Sequence, residues 1–113
     1  MVRIALTREG NYYKSMEMSG HANFDEYGRD IVCAAASVLG FTFVNYITEV
    51  LSIRAHDYKL EVEENEESSY LYMELLNDYK KDDIQNGFKF FEIGIIGLIE
   101  SYKNHIELIY QEV

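Results

Sequence analysis

Residues 20–37 read GHANFDEYGRDIVCAAAS, and the fold turns on where a strand ends and a helix begins inside this stretch. Gly20 ends a strand. Asp30 opens a helix, its carboxylate placed to accept the backbone N–H of Val32 or Cys33 as an N-cap does. Between them, Gly20 to Arg29 holds few aliphatic side chains, and Phe24 and Tyr27 are its only large apolar groups. Such a segment is expected to be mobile, with Gly20 and Gly28 as hinges because neither carries a Cβ. From Asp30 the run DIVCAAASVLGFTFVNYITEVL predicts a helix to about Leu51. Val32, Ala36, Leu39, Phe43 and Tyr46 form one stripe, and Ile31, Ala35 and Val38 begin another, which predicts burial on more than one side. Gly40 inside this helix costs about 1 kcal/mol relative to alanine. Close packing against another element would account for it.

Outward from this stretch the pattern is mostly of period two. Val2, Ile4 and Leu6 alternate with Arg3, Ala5 and Thr7, and after the turn residues Glu9-Gly10-Asn11, Met16 and Met18 alternate with Ser15, Glu17 and Ser19. These read as a hairpin. Tyr58, Leu60 and Val62, then Leu71, Met73 and Leu75, give a second hairpin around the polar turn Glu64 to Ser68. Asp82-Asp83 starts a second helix, with acidic groups where the helix dipole favours them. Ile84, Phe88, Phe91, Ile95 and Leu98 mark one face, and Phe90, Ile93 and Ile96 add another apolar surface. His105 to Val113 ends the chain as an edge strand. The order β-β-α-β-β-α-β in one domain over residues 1–113 implies an α+β fold, with two helices packed on a mainly antiparallel sheet. The helices carry more apolar surface than one sheet face covers, so a homodimer is expected.

The 113 residues carry a formal net charge of −10. A chain of this size buries roughly two-thirds of its unfolded surface, enough for a real core. Lys80-Lys81 is the only adjacent basic pair and acidic residues follow it at once, so direct nucleic-acid binding is not expected. A basic partner suits the charge better. One cysteine allows no internal disulfide, which points to a reducing, cytoplasmic setting. The N-terminus lacks the apolar core of a signal peptide. The most apolar run, taken as Phe88 to Ile99, is interrupted by Lys89 and Glu92 and falls short of the about 20 residues a membrane span needs.

The chemistry lies at His21 and Cys33. Cys33 falls in the first helical turn, where unpaired N–H groups and the positive dipole end favour a thiolate. If the second strand lies beside the helix start, the loop returns His21 to Cys33 as a base, and N–H groups at the helix start can hold an oxyanion. Asp30 either orients His21 or serves only as the cap, and the N-cap preference of Asp favours the cap. Ser37 shares the face of Cys33 one turn later and either hydrogen-bonds near the site or simply packs. Taken singly, a buried cysteine is an ordinary small hydrophobe and a lone histidine is ordinarily structural. The remaining histidines, His56 and His105, lie far along the chain. With no C-x-x-C or H-x-x-x-H spacing, neither a metal nor a cofactor is expected.

Gly20-His21-Ala22, Gly28, Asp30-Ile31-Val32-Cys33-Ala34-Ala35 and Ser37 together resemble the signature of the Prp family, ribosomal-processing cysteine proteases of Firmicutes and their relatives. The resemblance extends to length and element order. It implies a dimeric cysteine endopeptidase that removes a short N-terminal extension from the twenty-seventh protein of the bacterial large ribosomal subunit. In that case Cys33 is the nucleophile, His21 the general base and acid, and the glycine-flanked loop moves when substrate binds. The segment removed has apolar and aromatic residues before the cut. The competing expectation is a non-enzymatic acidic dimeric module that binds a ribosomal protein or an assembly factor, with His21 and Cys33 structural.

Overall fold

The computed structural model describes residues 1–27 and 29–113. Its elements run β1 (Val2–Glu9), β2 (Tyr12–Ser19), α1 (Ile31–Asn45), β3 (Tyr58–Glu64), β4 (Ser69–Leu75), α2 (Asp82–Tyr102) and β5 (Ile106–Glu112). Short helical turns at Tyr46–Val50 and Ala55–Asp57 bridge α1 to β3. The strands form one five-stranded sheet in the order β3-β4-β2-β1-β5, and both helices pack on it, as the α+β reading expects.

Alternation sets the sheet's two faces. Ile4, Leu6, Met16, Met73 and Leu75 are fully buried beneath the helices. The β1–β2 hairpin turns at Gly10, whose φ of +62° suits a residue without a side chain. In the hairpin register Leu6 faces Met16, and beyond it Met16 faces Met73 of β4. The β5 edge differs in kind: it runs parallel to β1, pairing Val2 with Ile106 and Leu6 with Tyr110. The sheet is therefore mixed, with three antiparallel pairings and one parallel.

Asp30 caps α1 as the sequence suggests, its Oδ1 accepting the N–H groups of Val32 and Cys33 at 3.0 Å each. The end of the helix departs from expectation. Its last turn widens to π geometry over Tyr46–Val50, with the Leu51 N–H bonded to the Tyr46 carbonyl at 2.9 Å. Burial on more than one side holds: α1 packs on the sheet through Gly40 and on α2 through Leu39 and Phe43. Val32, Ala36, Gly40, Phe43 and Val44 face the core, while Val38 stays 65% exposed and Ile31 and Phe41 are exposed as well. The sheet and α2 leave the side of Ile31 and Val38 uncovered, so that stripe meets solvent. Gly40 does sit in close contact: a Cβ there would lie 2.5 Å from the Met18 Sδ and 2.9 Å from Leu71. Gly40 thus lets α1 lie against β2 and β4.

In α2, Ile84, Phe88, Phe91 and Ile95 are buried, and Phe43 of α1 packs against Phe88 with ring centroids 4.7 Å apart. Phe90 and Ile93 on the opposite side are 81% and 67% exposed. The expectation that Phe88 to Ile99 is the most apolar run is also corrected. Ile31–Val50, with a mean hydropathy of 1.8, is the one helical stretch among the described residues long and apolar enough to cross a membrane. Here it packs on the sheet through its core-facing stripe.

Candidate active site

β2 delivers its last residue, Ser19, to the edge of the core, and Gly20 turns the chain out of the sheet. Its φ is +85°, and a Cβ would lie 2.5 Å from the Met1 carbonyl oxygen. Gly20 is thus needed for a left-handed conformation and a close backbone approach, and its N–H is tied to the Ser69 carbonyl at 3.1 Å. The second expected hinge, Gly28, lies outside the described residues.

The turn brings His21 and Cys33 to a common cavity of about 440 Å³, also walled by Tyr27, Asp30, Ser37 and Glu64. All of the described residues predicted for the site thus converge, apart from Gly20, which shapes the approach from behind. His21 is half-buried, its Nε2 is buried without a hydrogen-bond partner among the described residues, and its ring packs against Tyr27 at 5.7 Å in a T-shaped arrangement. Among the described residues no hydrogen bond joins His21 to Cys33. The thiol is instead met by the N–H of Ala22, which donates to Cys33 Sγ at 3.1 Å.

Asp30 does more than cap. While Oδ1 holds the helix start, Oδ2 accepts the N–H of Phe24 at 2.9 Å and, more weakly, that of Asp25 at 3.4 Å. One buried carboxylate thereby fastens both the helix and the returning loop. Its burial alone would raise its pKa, but the N–H groups of Cys33, Phe24 and Asp25 outweigh that and hold it below the usual carboxylate range.

The same arrangement bears on two expectations. The helix start was expected to favour a thiolate, yet the Cys33 thiol is pushed above its ordinary pKa. Burial is the main cause, the Ala22 N–H opposes it, and the carboxylates of Asp30 and Glu64 add to it. Three N–H groups of the helix start, which were to hold an oxyanion, are also already engaged. Those of Val32 and Cys33 are held by the Asp30 carboxylate, and that of Ala34 by the Asp30 carbonyl at 3.0 Å.

The sequence reading passed over His105, which the fold brings to the loop. Its Nδ1 lies 2.9 Å from the Ala22 carbonyl oxygen. A carbonyl only accepts, so Nδ1 carries the proton. Phe24 packs edge-on against both His105 at 5.3 Å and Tyr102 at 5.4 Å. Ala22, 2% exposed, is therefore held by His105 through its carbonyl and by Cys33 through its N–H. No spacing in the sequence signals this, because it depends on β5 lying beside β1. Among the described residues no group of three His, Cys, Asp or Glu side chains is placed to hold a metal ion.

The family described as Cysteine protease Prp matches residues 1–107. The ribosomal processing cysteine protease Prp of Bacillus subtilis (strain 168) is 32% identical over 97 residues, covering 83% of this chain and 82% of that protein. The crystal structure of SMU.848 from Streptococcus mutans superposes with a TM-score of 0.83 at 28% identity, covering 100% of this chain and 96% of that one. The ribosomal processing protease Prp from S. aureus, solved with a covalently linked product peptide, superposes with a TM-score of 0.79 at 25% identity, covering 98% and 100% of the two chains.

Proposed function

The chain belongs to the Prp family of cysteine proteases, and from that premise we propose that Cys33 is its nucleophile and His21 its general base and acid. The observation that carries this reading is the shared cavity: the single cysteine lines it together with an imidazole whose Nε2 has no hydrogen-bond partner among the described residues. His21 takes the proton from Cys33, and the sulfur attacks the carbonyl carbon of the scissile peptide, forming a C–S bond and an oxyanion. Collapse breaks the C–N bond as His21 returns the proton to the departing amine. Water, deprotonated by His21, then hydrolyses the thioester and frees the thiol. Asp30 is a positioning residue, fixing helix and loop relative to each other. Ser37 lines the cavity one turn after Cys33, and Gly20 lets the loop move as substrate enters.

Burial favours the protonated thiol, so His21 is needed to take its proton as the sulfur attacks. The substrate is the N-terminal extension of a basic ribosomal protein, the twenty-seventh of the large subunit, as the activity named for the relatives supports. Residues 1–113 act as one protease domain in the cytoplasm, without direct contact to nucleic acid. The protein works as a homodimer through its spare helical faces. Val38, Phe41, Phe90 and Ile93 are exposed there, and an apolar cavity of about 330 Å³ opens between α1 and α2. The non-enzymatic alternative gives way to the family assignment.

The test is incubation of the purified protein with the unprocessed ribosomal protein, followed by intact-mass spectrometry. One cut near the N-terminus is the expected result. An intact substrate after prolonged incubation would contradict the reading.

A further inference from the structure

On the sheet several acidic groups are paired, Glu74 with Lys14 at 3.2 Å, Glu61 with Lys59 at 3.3 Å, and Glu107 with Arg3, while Glu17 and Glu63 form no ion pair among the described residues. Around the cavity that holds Cys33 the acidic groups are unpaired. Asp25, Glu26, Glu64 and Glu66 all line it, and none of them forms an ion pair among the described residues. No lysine or arginine lines it either, and Arg29, the loop's one cation, is exposed and outside the lining.

Glu64 and Glu66 come from the β3–β4 hairpin, so the cavity is lined from both the hairpin and the loop. Register places Glu64 at the last pair of that hairpin, facing Ser69. The Ser69 hydroxyl donates to Glu64 Oε2 and fixes the carboxylate. The turn beyond is ordered by Asn65, whose Oδ1 accepts the N–H groups of Glu67 and Ser68 at 2.8 Å each. Glu66 is therefore presented on an ordered turn. Glu64 also lies close enough to Cys33 to act on the thiol electrostatically.

We propose that Glu64 and Glu66 are specificity residues of the active site, receiving a lysine or arginine side chain of the substrate close to the scissile bond. The inference rests on the protease reading and adds to it the charge of a neighbouring substrate residue. These carboxylates do not stand alone as a cluster: they wall the cavity into which the peptide must pass to reach Cys33. Unpaired carboxylates with no internal cation focus a negative potential there. A cationic side chain would supply the missing partner and relieve the negative field on Cys33.

The experiment compares kcat and KM for short peptides that the wild-type protein cleaves, spanning the cut site, with lysine, glutamine or glutamate placed in turn at each flanking position. Cleavage of any of them establishes the protease; only the ratios among them test this inference. At one position or more, lysine should exceed glutamine in kcat/KM by about fivefold, the size expected of two exposed charge pairs, and chiefly through KM. Glutamate should fall below glutamine, and the preference should shrink as salt is raised. In Glu64→Gln/Glu66→Gln the lysine-to-glutamine ratio should move toward one, and in Glu66→Lys the glutamate peptide should overtake the lysine peptide. Wild-type ratios near one at every position would overturn the proposal, as would an undiminished lysine preference in the folded double variant.

Discussion

The backbone N–H of Ala22 donates to Cys33 Sγ at 3.1 Å, while the carbonyl of Ala22 is held by His105 Nδ1 at 2.9 Å. The sulfur is thus positioned by a loop residue that is itself anchored from the strand at the far end of the chain. His105→Ala should loosen Ala22 without touching the substrate. The loss of a hydrogen bond of about 1 kcal/mol corresponds to roughly a fivefold drop in kcat/KM. His105→Gln, whose amide can still donate, should recover part of it. An unchanged kcat/KM in a folded His105→Ala protein would show that the anchor does not reach the thiol.

Asp30 joins helix and loop through four backbone N–H groups. Asp30→Ala should destabilise the protein by about 2 kcal/mol, the upper range for loss of an N-cap, and Asp30→Asn by less because it keeps an accepting oxygen. The pKa of Asp30 is lowered in the fold. Its ionised form therefore contributes stability above the ordinary carboxylate range, and that contribution is lost as pH falls through the folded value. Urea denaturation at descending pH should show the wild type losing stability and Asp30→Asn losing less.

The raised pKa of Cys33 has a visible consequence. Native protein without substrate should react with iodoacetamide more slowly at pH 7 than free cysteine does, and the rate should climb as pH passes the ordinary thiol range. Because the fold favours the protonated thiol, ionisation also lowers stability as pH rises from the unfolded thiol value toward the folded one. Intact mass after timed alkylation measures the reaction. A native rate above that of free cysteine at neutral pH would mean that a thiolate is already present.

Two helical glycines should behave in opposite ways. A Cβ on Gly40 would press on Met18 and Leu71, whereas one on Gly97 meets nothing within 4 Å. Gly40→Ala should cost about 1–3 kcal/mol through overpacking. Gly97→Ala should stabilise α2 by up to about 1 kcal/mol. Chemical denaturation of the two variants checks both signs.

Much of this was readable from residue order. Alternation at Val2, Ile4 and Leu6 and at Leu71, Met73 and Leu75 marks strands whose buried faces are those observed. Asp30, three residues before Cys33, is legible as a cap because the chemistry is local. Other features were hidden for identifiable reasons. Alternation carries no direction, so nothing at Ile106, Leu108 and Tyr110 says that β5 runs parallel to β1. His105 reaches the loop only through that pairing. The thiolate expectation followed from helix-end electrostatics, but the cap that makes the helix start recognisable also places a carboxylate beside the sulfur and occupies the N–H groups. The exposed stripe of Ile31 and Val38 shows that an apolar residue in a sequence predicts a need for burial without naming the surface that meets it.

The central claim is that Cys33 and His21 perform the cleavage, and the direct measurement is a side-by-side digestion of the unprocessed ribosomal protein by wild type, Cys33→Ala and His21→Ala, read by intact-mass spectrometry. Wild type should make one specific N-terminal cut and neither variant any, with all three proteins folded by circular dichroism. A cut at the same place and rate by folded Cys33→Ala would contradict the claim.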